Sequence, residues 1–377
     1  MKAGISGQEA PKAIFPNYFG EPKYKKVLRT FNQDNQEIRD QYVGSDCDKY
    51  MGVIKLRYPV KSGVFQNEQD ILTLFNYIYS KLEINTEEIK EHPVLVTEPL
   101  LNPYSNREKI VTALFESLGV PALFFASQPI LSLFSTSNTS GVVLESGDGV
   151  TQSCVVYEGY SIPNSYMRED YGGRDVTEYL QLLLKRVGYS FTSSSEFEIV
   201  KKIKESSCYT LLFNNLDGRK QVEAGISQYY LPDGSYINLG EEKVLAPEIL
   251  FNPSMIGKEY HSFQEMIKSS IDKVDVELRN QLYSYVLVSG GNTFFKGIQE
   301  KLHKEIQKIA PKRMRVKLHT PSNRKYSCWI GGNVISTLEI FKKMWITKLE
   351  WSDKGKTLSP LSTLSLHPAF SKKSITD

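Results

Sequence analysis

Two glycine-bearing turns, each at the end of a β-branched apolar run, limit most tightly what this chain can fold into. Gly141-Val142-Val143-Leu144 leads into Ser146-Gly147-Asp148-Gly149-Val150-Thr151, and Cys154-Val155-Val156-Tyr157 leads out, which reads as a hairpin with a tight turn. Val286-Leu287-Val288 runs into Ser289-Gly290-Gly291-Asn292-Thr293, with a helix expected next. Glycines at such points let backbone N–H groups approach phosphate oxygens closely. An Asp in the turn suits Mg²⁺, which keeps part of its water shell. Either turn alone is more often an ordinary tight turn; their value comes from being paired within one α/β chain. Neither G-x-x-x-x-G-K-[ST] nor G-x-G-x-x-G occurs, so the common P-loop and dinucleotide fingerprints are excluded.

The rest of the chain reads as mixed α/β. Ile71, Leu74, Phe75, Ile78 and Leu82 repeat at helical spacing, as do Ile298, Leu302, Ile306 and Ile309. Capping-box spacing occurs at Ser105/Glu108, Ser193/Glu196 and Ser262/Glu265, each ahead of an apolar stripe. Tyr229-Tyr230-Leu231 and Ser235-Tyr236-Ile237 flank Pro232-Asp233-Gly234 as a second hairpin. Two polar stretches, 29–40 and 214–225, read as exposed loops. With 377 residues the chain is long enough for two or three domains, and no low-complexity linker divides it. Lys and Arg total 46 against 43 Asp and Glu, which argues against a dedicated nucleic-acid binder. No apolar run approaches the ~20 residues of a membrane span, and the start lacks a signal-peptide core. The four cysteines are far apart and the five histidines form no H-x-x-H pair, so neither a disulfide framework nor a metal site is expected.

Gly147-Asp148-Gly149-Val150-Thr151 followed by Tyr157-Glu158-Gly159-Tyr160 resembles the second phosphate loop of actins. The likeness continues in order through Glu91-His92-Pro93-Val94, Asn102-Pro103, Asn106-Arg107-Glu108-Lys109, Gly173-Arg174-Asp175, Ile203-Lys204-Glu205, Leu231-Pro232-Asp233-Gly234, Ser289-Gly290-Gly291, Arg324-Lys325-Tyr326-Ser327 and Trp329-Ile330-Gly331-Gly332. Within the family, Phe15-Pro16-Asn17-Tyr18, Pro121-Ala122-Leu123-Phe124, Gln228-Tyr229-Tyr230 and Phe341-Lys342-Lys343-Met344-Trp345 resemble the centractin branch, which builds the filament of dynactin.

The resemblance implies an α/β, actin-like, duplicated ribonuclease H-like fold with two lobes around a central nucleotide cleft. The first lobe core would comprise 1–16, 60–131 and 328–377, with 17–59 as its small subdomain. The second would comprise 132–171 and 262–327, with 172–261 as its small subdomain. The implied cofactor is ATP or ADP with Mg²⁺. Ser146, Gly147, Asp148, Gly149 and Val150 would clamp phosphates, with Lys2 as a further contact. Gly173, Arg174, Asp175, Lys204 and Glu205 would border the ribose and adenine. Gly290, Gly291 and Asn292 would face phosphate or nucleoside from the other side, and Lys325 would flank the adenine. Gln128 would place the attacking water, while Asp148 and Glu145 would hold Mg²⁺ through water. Expected partners are further actin-like subunits in a filament, dynactin-type proteins and motor complexes, in the cytoplasm and cytoskeleton. Direct nucleic-acid binding and a transmembrane segment are not expected.

Departures from the family pattern qualify that reading. Family members open with a strand and an Asp-Asn-Gly-Ser-Gly turn, whereas Lys2-Ala3-Gly4 follows Met1 directly. The first phosphate loop is therefore expected to be missing, as from a start placed downstream of it. Glu145 stands where the family has Asp, and Gln152 where it has His; Gln cannot take up a proton at neutral pH. Together these changes predict slow hydrolysis. Pro129 follows Gln128 and is expected to stiffen the hinge segment. The loop 24–41 is longer than in actins, and a tail carrying Lys372 and Lys373 follows the usual family ending. Competing readings are a divergent actin-like subunit of an axonemal or chromatin-remodelling assembly, a small-molecule kinase, and a chaperone-type ATPase. The kinase would have no reason to keep subunit-contact stretches such as Phe251-Asn252-Pro253-Ser254-Met255-Ile256-Gly257. The chaperone would need a substrate domain after Trp351.

Overall fold

The computed structural model describes residues 1–23, 40–212 and 225–354. The expected loops at 29–40 and 214–225 lie almost wholly outside the described residues, as do most of the long loop 24–41 and the C-terminal tail. The chain forms two compact α/β units. One comprises Met1–Ser140, Val156–Ser161 and Asn323–Asp377; the other comprises Gly141–Val155 and Ile162–Ser322. No helix among the described residues is long and apolar enough to cross a membrane.

The second unit is built on a sheet that runs Thr151–Tyr157, Gly141–Ser146, Val286–Ser289, Leu318–His319, with Met167–Glu169 antiparallel to the first of these strands. Gly141–Ser146 and Val286–Ser289 run parallel, in register from Val142↔Val286 to Glu145↔Ser289. All residues of both strands are buried. That explains their continuous apolar runs: a parallel sheet covered on both faces has no polar alternation. The same register brings the ends of the two strands, and so their two glycine turns, side by side. Val142, Leu144, Val286 and Val288 pack with the apolar stripes of the helices Gly173–Arg186, Phe263–Asp272 and Ile298–Ile309. The hairpin Ser227–Tyr230/Tyr236–Leu239 forms as its Pro-Asp-Gly turn predicts.

The helix expected directly after Ser289-Gly290-Gly291 is only a single 3₁₀ turn, Gly291–Thr293; the α-helix starts at Ile298. Lys296 explains the delay. Its carbonyl accepts from the backbone N–H and hydroxyl of Thr210 at 2.9 and 3.2 Å, which fixes it in an isolated bridge with Tyr209. Gly297, at φ 83°, then turns the chain into the helix.

In the first unit Val94–Glu98 pairs parallel with Ala122–Ser127, which pairs antiparallel with Ile346–Thr347. The smaller sheet Tyr42–Val43, Phe19–Pro22, Ile54–Arg57 packs around Tyr18, Cys47 and Leu56. The stripe Ile71, Leu74, Phe75, Ile78, Leu82 is the buried face of the helix Glu68–Leu82. Pro129 lies in the first turn of the helix Gln128–Phe134. A first-turn proline forfeits no helical hydrogen bond, so here it starts a helix.

Two of the three predicted capping boxes form. At Ser193 the hydroxyl accepts from Glu196 N–H at 3.2 Å, and the Glu196 carboxylate accepts from Ser193 N–H at 2.7 Å. At Ser262 the Glu265 carboxylate accepts from both the backbone N–H and the hydroxyl, which holds its pKa below the usual carboxylate range. The third expectation fails. The helix begins at Tyr104, capped by Pro103, whose carbonyl accepts from Asn106 and Arg107 N–H. Ser105 is therefore already inside the helix, because the proline's extended ψ of 135° sets the boundary upstream of it. Ser193→Ala should cost about 1 kcal/mol of stability in urea unfolding, whereas Ser105→Ala should stay within about 0.5 kcal/mol of zero. Equal costs at the two positions would contradict the cap assignment.

Candidate functional site

The second unit gathers both glycine turns, the start of the helix Gly173–Arg186 and the side chain of Lys204. Gly147 N–H closes the first turn on Val150 O at 2.9 Å. The carbonyls of Gly147 and Asp148 accept from the N–H groups of Gly173 and Arg174 at 2.9 and 2.7 Å. The loop carbonyls thus satisfy helix N-terminal donors that have no partner within the helix. This close approach needs a residue without a side chain at position 172. A Cβ on Gly172 would stand 2.6 Å from Gly147 O and 3.0 Å from Asp148 O. Among the described residues, the N–H groups of Asp148 and Gly149 take no acceptor. They are the donors a phosphate would use.

The second turn docks against the first. Gly290 has φ 94°, and a Cβ there would stand 2.1 Å from Ser146 O. Asn292 Nδ2 donates to Ser146 Oγ at 3.0 Å, Ser146 Oγ lies 2.8 Å from Thr151 Oγ1, and Thr151 Oγ1 donates to Tyr171 O at 2.8 Å. Lys204 lies on the helix Ser194–Ser207 and is only 5% exposed. Its ammonium donates to Gly173 O at 2.7 Å. Burial pulls its pKa down, against the opposing pull of the Asp148 carboxylate. Arg174 Nε lies 3.7 Å from Asp148 Oδ2, and the guanidinium sits over the ring of Phe197. Asp175 accepts from Gly172 N–H at 2.8 Å, so it anchors the helix start, and burial raises its pKa.

Of the residues expected at a ligand, Ser146, Gly147, Asp148, Gly173, Arg174, Asp175, Lys204, Gly290 and Asn292 are joined by these contacts. Gly149 and Val150 complete the first turn and Gly291 the second. Glu205 is exposed beside Lys204 on its helix. Glu145 and Gln152 are both buried, on the two strands that flank the first turn. Lys2, Gln128 and Lys325 belong to the first unit. Lys2 pairs with Ile14 in a short ribbon, its ammonium 5.7 Å from the centre of the Tyr326 ring. Gln128 opens the helix Gln128–Phe134, and Lys325 is exposed just before the helix Ser327–Ser336. The sequence reading missed Gly172, Thr151 as a relay and Tyr171. The double glycine Gly172-Gly173 ahead of a helix was the available signal for the first.

The donor set fits a nucleotide. Two backbone N–H groups without acceptors suit phosphate oxygens, and the buried ammonium of Lys204 suits an anionic, hydroxylated ligand. Asn292 Oδ1 is buried with no hydrogen-bond partner, which marks an unfilled contact. No three His, Cys, Asp or Glu side chains among the described residues converge to cage a metal ion. Asp148 and Glu145 therefore suit only a Mg²⁺ held mainly by water and phosphate. A protein-family model described as Actin matches residues 1–359.

Proposed function

This chain belongs to the actin family, and from that premise we propose that it is a nucleotide-binding protomer of a short, centractin-like filament in a dynactin-type complex. Such a complex would serve dynein-driven transport along microtubules in the cytoplasm. The observation that carries the nucleotide part is the docking of Gly172 and Gly173 on the carbonyls of Gly147 and Asp148, with the ammonium of Lys204 buried behind Gly173. Bound ATP or ADP with Mg²⁺ would supply anionic oxygens for the N–H groups of Asp148 and Gly149. Lys204 would neutralise and orient the ligand, and Arg174 would hold Asp148 in place. The filament part is supported by the family membership and by the centractin-like stretches, Gln228-Tyr229-Tyr230 among them. Tyr230 and Tyr236 are 68% and 54% exposed on their hairpin, which leaves aromatic surface for a neighbour.

Filament contacts bury on the order of 1,000 Å² or more, so the protein in native extract should elute in a large assembly. Electron microscopy of that fraction should show short filaments with dynactin partners. Elution only at the 42.9 kDa of a single chain would contradict the proposal. Filaments with axonemal or chromatin-remodelling partners would keep the family role and move the protein to another assembly.

A further inference from the structure

Charge is unevenly placed along this chain. Residues 304–317 carry six cations, Lys304, Lys308, Lys312, Arg313, Arg315 and Lys317, against one anion, Glu305. That stretch is therefore +5 where the whole chain is +3, which leaves the rest at −2. Lys308 is paired with Glu305 at 2.7 Å. Lys312, Arg313, Arg315 and Lys317 are exposed, and among the described residues none of these four joins an ion pair or a side-chain hydrogen bond. Crowded like charges repel one another, and an anionic partner relieves that repulsion.

The local fold holds these charges outward. Met314 N–H donates to Pro311 O at 2.8 Å, which makes Lys312 and Arg313 the central residues of a tight turn. Beyond the turn burial alternates. Met314, Val316 and Leu318 pack on the core of the second unit, while Arg313, Arg315 and Lys317 are exposed between them. An extended chain sends alternate side chains to opposite faces, about 6.7 Å apart on each, so three cations line one outward face. The arm is fixed from behind. Lys317 donates its N–H to Tyr283 O at 3.0 Å and its carbonyl accepts from Val286 N–H at 3.0 Å, while His303 Nε2 lies 3.2 Å from Val316 O.

We propose that this arm binds a membrane surface rich in anionic lipid headgroups. Other polyanions fit it less well. The carbonyls of Val316 and Lys317 are already engaged, so an acidic peptide cannot pair along the arm as an added strand. Residues 304–317 contain no Phe, Tyr or Trp, which leaves the bases of a single-stranded nucleic acid nothing to stack on. A duplex binder carries its basic excess over a whole domain, whereas here the excess is confined to one arm and the rest of the chain is net negative. Anionic lipids diffuse within their leaflet, so they gather beneath four cations without a matched spacing.

The test floats the full chain with vesicles of phosphatidylcholine alone, or with about 30% phosphatidylserine added, at low and at physiological salt. Each cation at such a surface is worth roughly fivefold in affinity. The wild type should bind the anionic vesicles at least about tenfold tighter than the neutral ones, and less so as salt rises. Lys312→Gln, Arg313→Gln, Arg315→Gln and Lys317→Gln combined should abolish that preference, while Arg313→Lys with Arg315→Lys should keep it. Equal wild-type binding to the two vesicle types would overturn the inference, as would a preference undiminished in the Gln variant. Capture by duplex DNA or polyglutamate without vesicle binding would overturn it in favour of another polyanion. If the Gln variant does not fold, Lys317→Glu alone, at an exposed site, takes its place and should weaken vesicle binding at least about tenfold; unchanged binding there would overturn the inference too.

Discussion

Replacing Gly290 by alanine is expected to lower stability by about 2–6 kcal/mol, summed from a backbone cost of about 1–3 kcal/mol and an overpacking cost of about 1–3 kcal/mol. The residue sits at φ 94°, ψ 156°, a region that essentially only glycine occupies. Its added Cβ would meet the Ser146 carbonyl oxygen at 2.1 Å, the carbonyl carbon at 2.7 Å and the nitrogen at 2.9 Å. These are backbone atoms of a fully buried strand end and have no rotamer by which to move away. Gly188→Ala is the control. Gly188 has φ 97° but nothing within 4 Å of an added Cβ, so only the conformational cost of about 1–2 kcal/mol applies. Urea unfolding of both variants checks the difference. If Gly290→Ala costs no more than Gly188→Ala, the two glycine turns do not dock as described.

The second large effect is expected in the other unit. Glu98 and Arg107 are 2% and 7% exposed and form an ion pair, with Arg107 Nη2 2.5 Å from Glu98 Oε1 and Nε 2.6 Å from Oε2. Asn102 donates to the same carboxylate at 2.8 Å, and Asn106 extends the network to Asn102 and to Phe65 N–H. The network fastens the strand Val94–Glu98, the ribbon Val60–Lys61/Val64–Phe65 and the helix Tyr104–Thr112 together. Arg107→Ala should cost about 3–5 kcal/mol at pH 8, because it strands a buried charge.

Burial already raises the Glu98 pKa above the carboxylate norm, with Arg107 and Asn102 pulling it down. Without Arg107 it rises further. Between the ordinary value and the raised one, the folded variant binds a proton that the unfolded chain does not, so stability increases as pH falls. The penalty for Arg107→Ala should therefore shrink between pH 8 and pH 5. A penalty that grows on acidification would contradict the assignment.

The parts of this molecule that were legible in the sequence are those fixed by local chemistry. The stripe Ile71 to Leu82, the Pro-Asp-Gly hairpin and the caps at Ser193 and Ser262 follow from spacing within a few residues. Both glycine turns were also visible, because a tight turn at a strand end demands glycine. What the sequence did not show is how the turns meet. The parallel register Glu145↔Ser289 joins residues far apart in the chain. The relay from Tyr171 through Thr151 and Ser146 to Asn292 draws on segments that no local pattern connects. Gly172 escaped notice for the same reason: its need for glycine comes from the carbonyl of Gly147, not from its own dihedral angles. The cap expected at Ser105 failed because Pro103, two residues upstream, already sets the helix boundary.

The second unit is proposed to hold a nucleotide between its glycine turns and Lys204. The test is isothermal titration of the full chain with Mg-ATP, compared with Lys204→Met, which keeps most of the unbranched side chain and removes the charge. Charged hydrogen bonds contribute about 1.5–3 kcal/mol each, so one-to-one binding should weaken by at least about tenfold in the variant, while its thermal melt without ligand stays near that of the wild type. No saturable binding by the wild type, or equal affinity in the two proteins, would contradict the account.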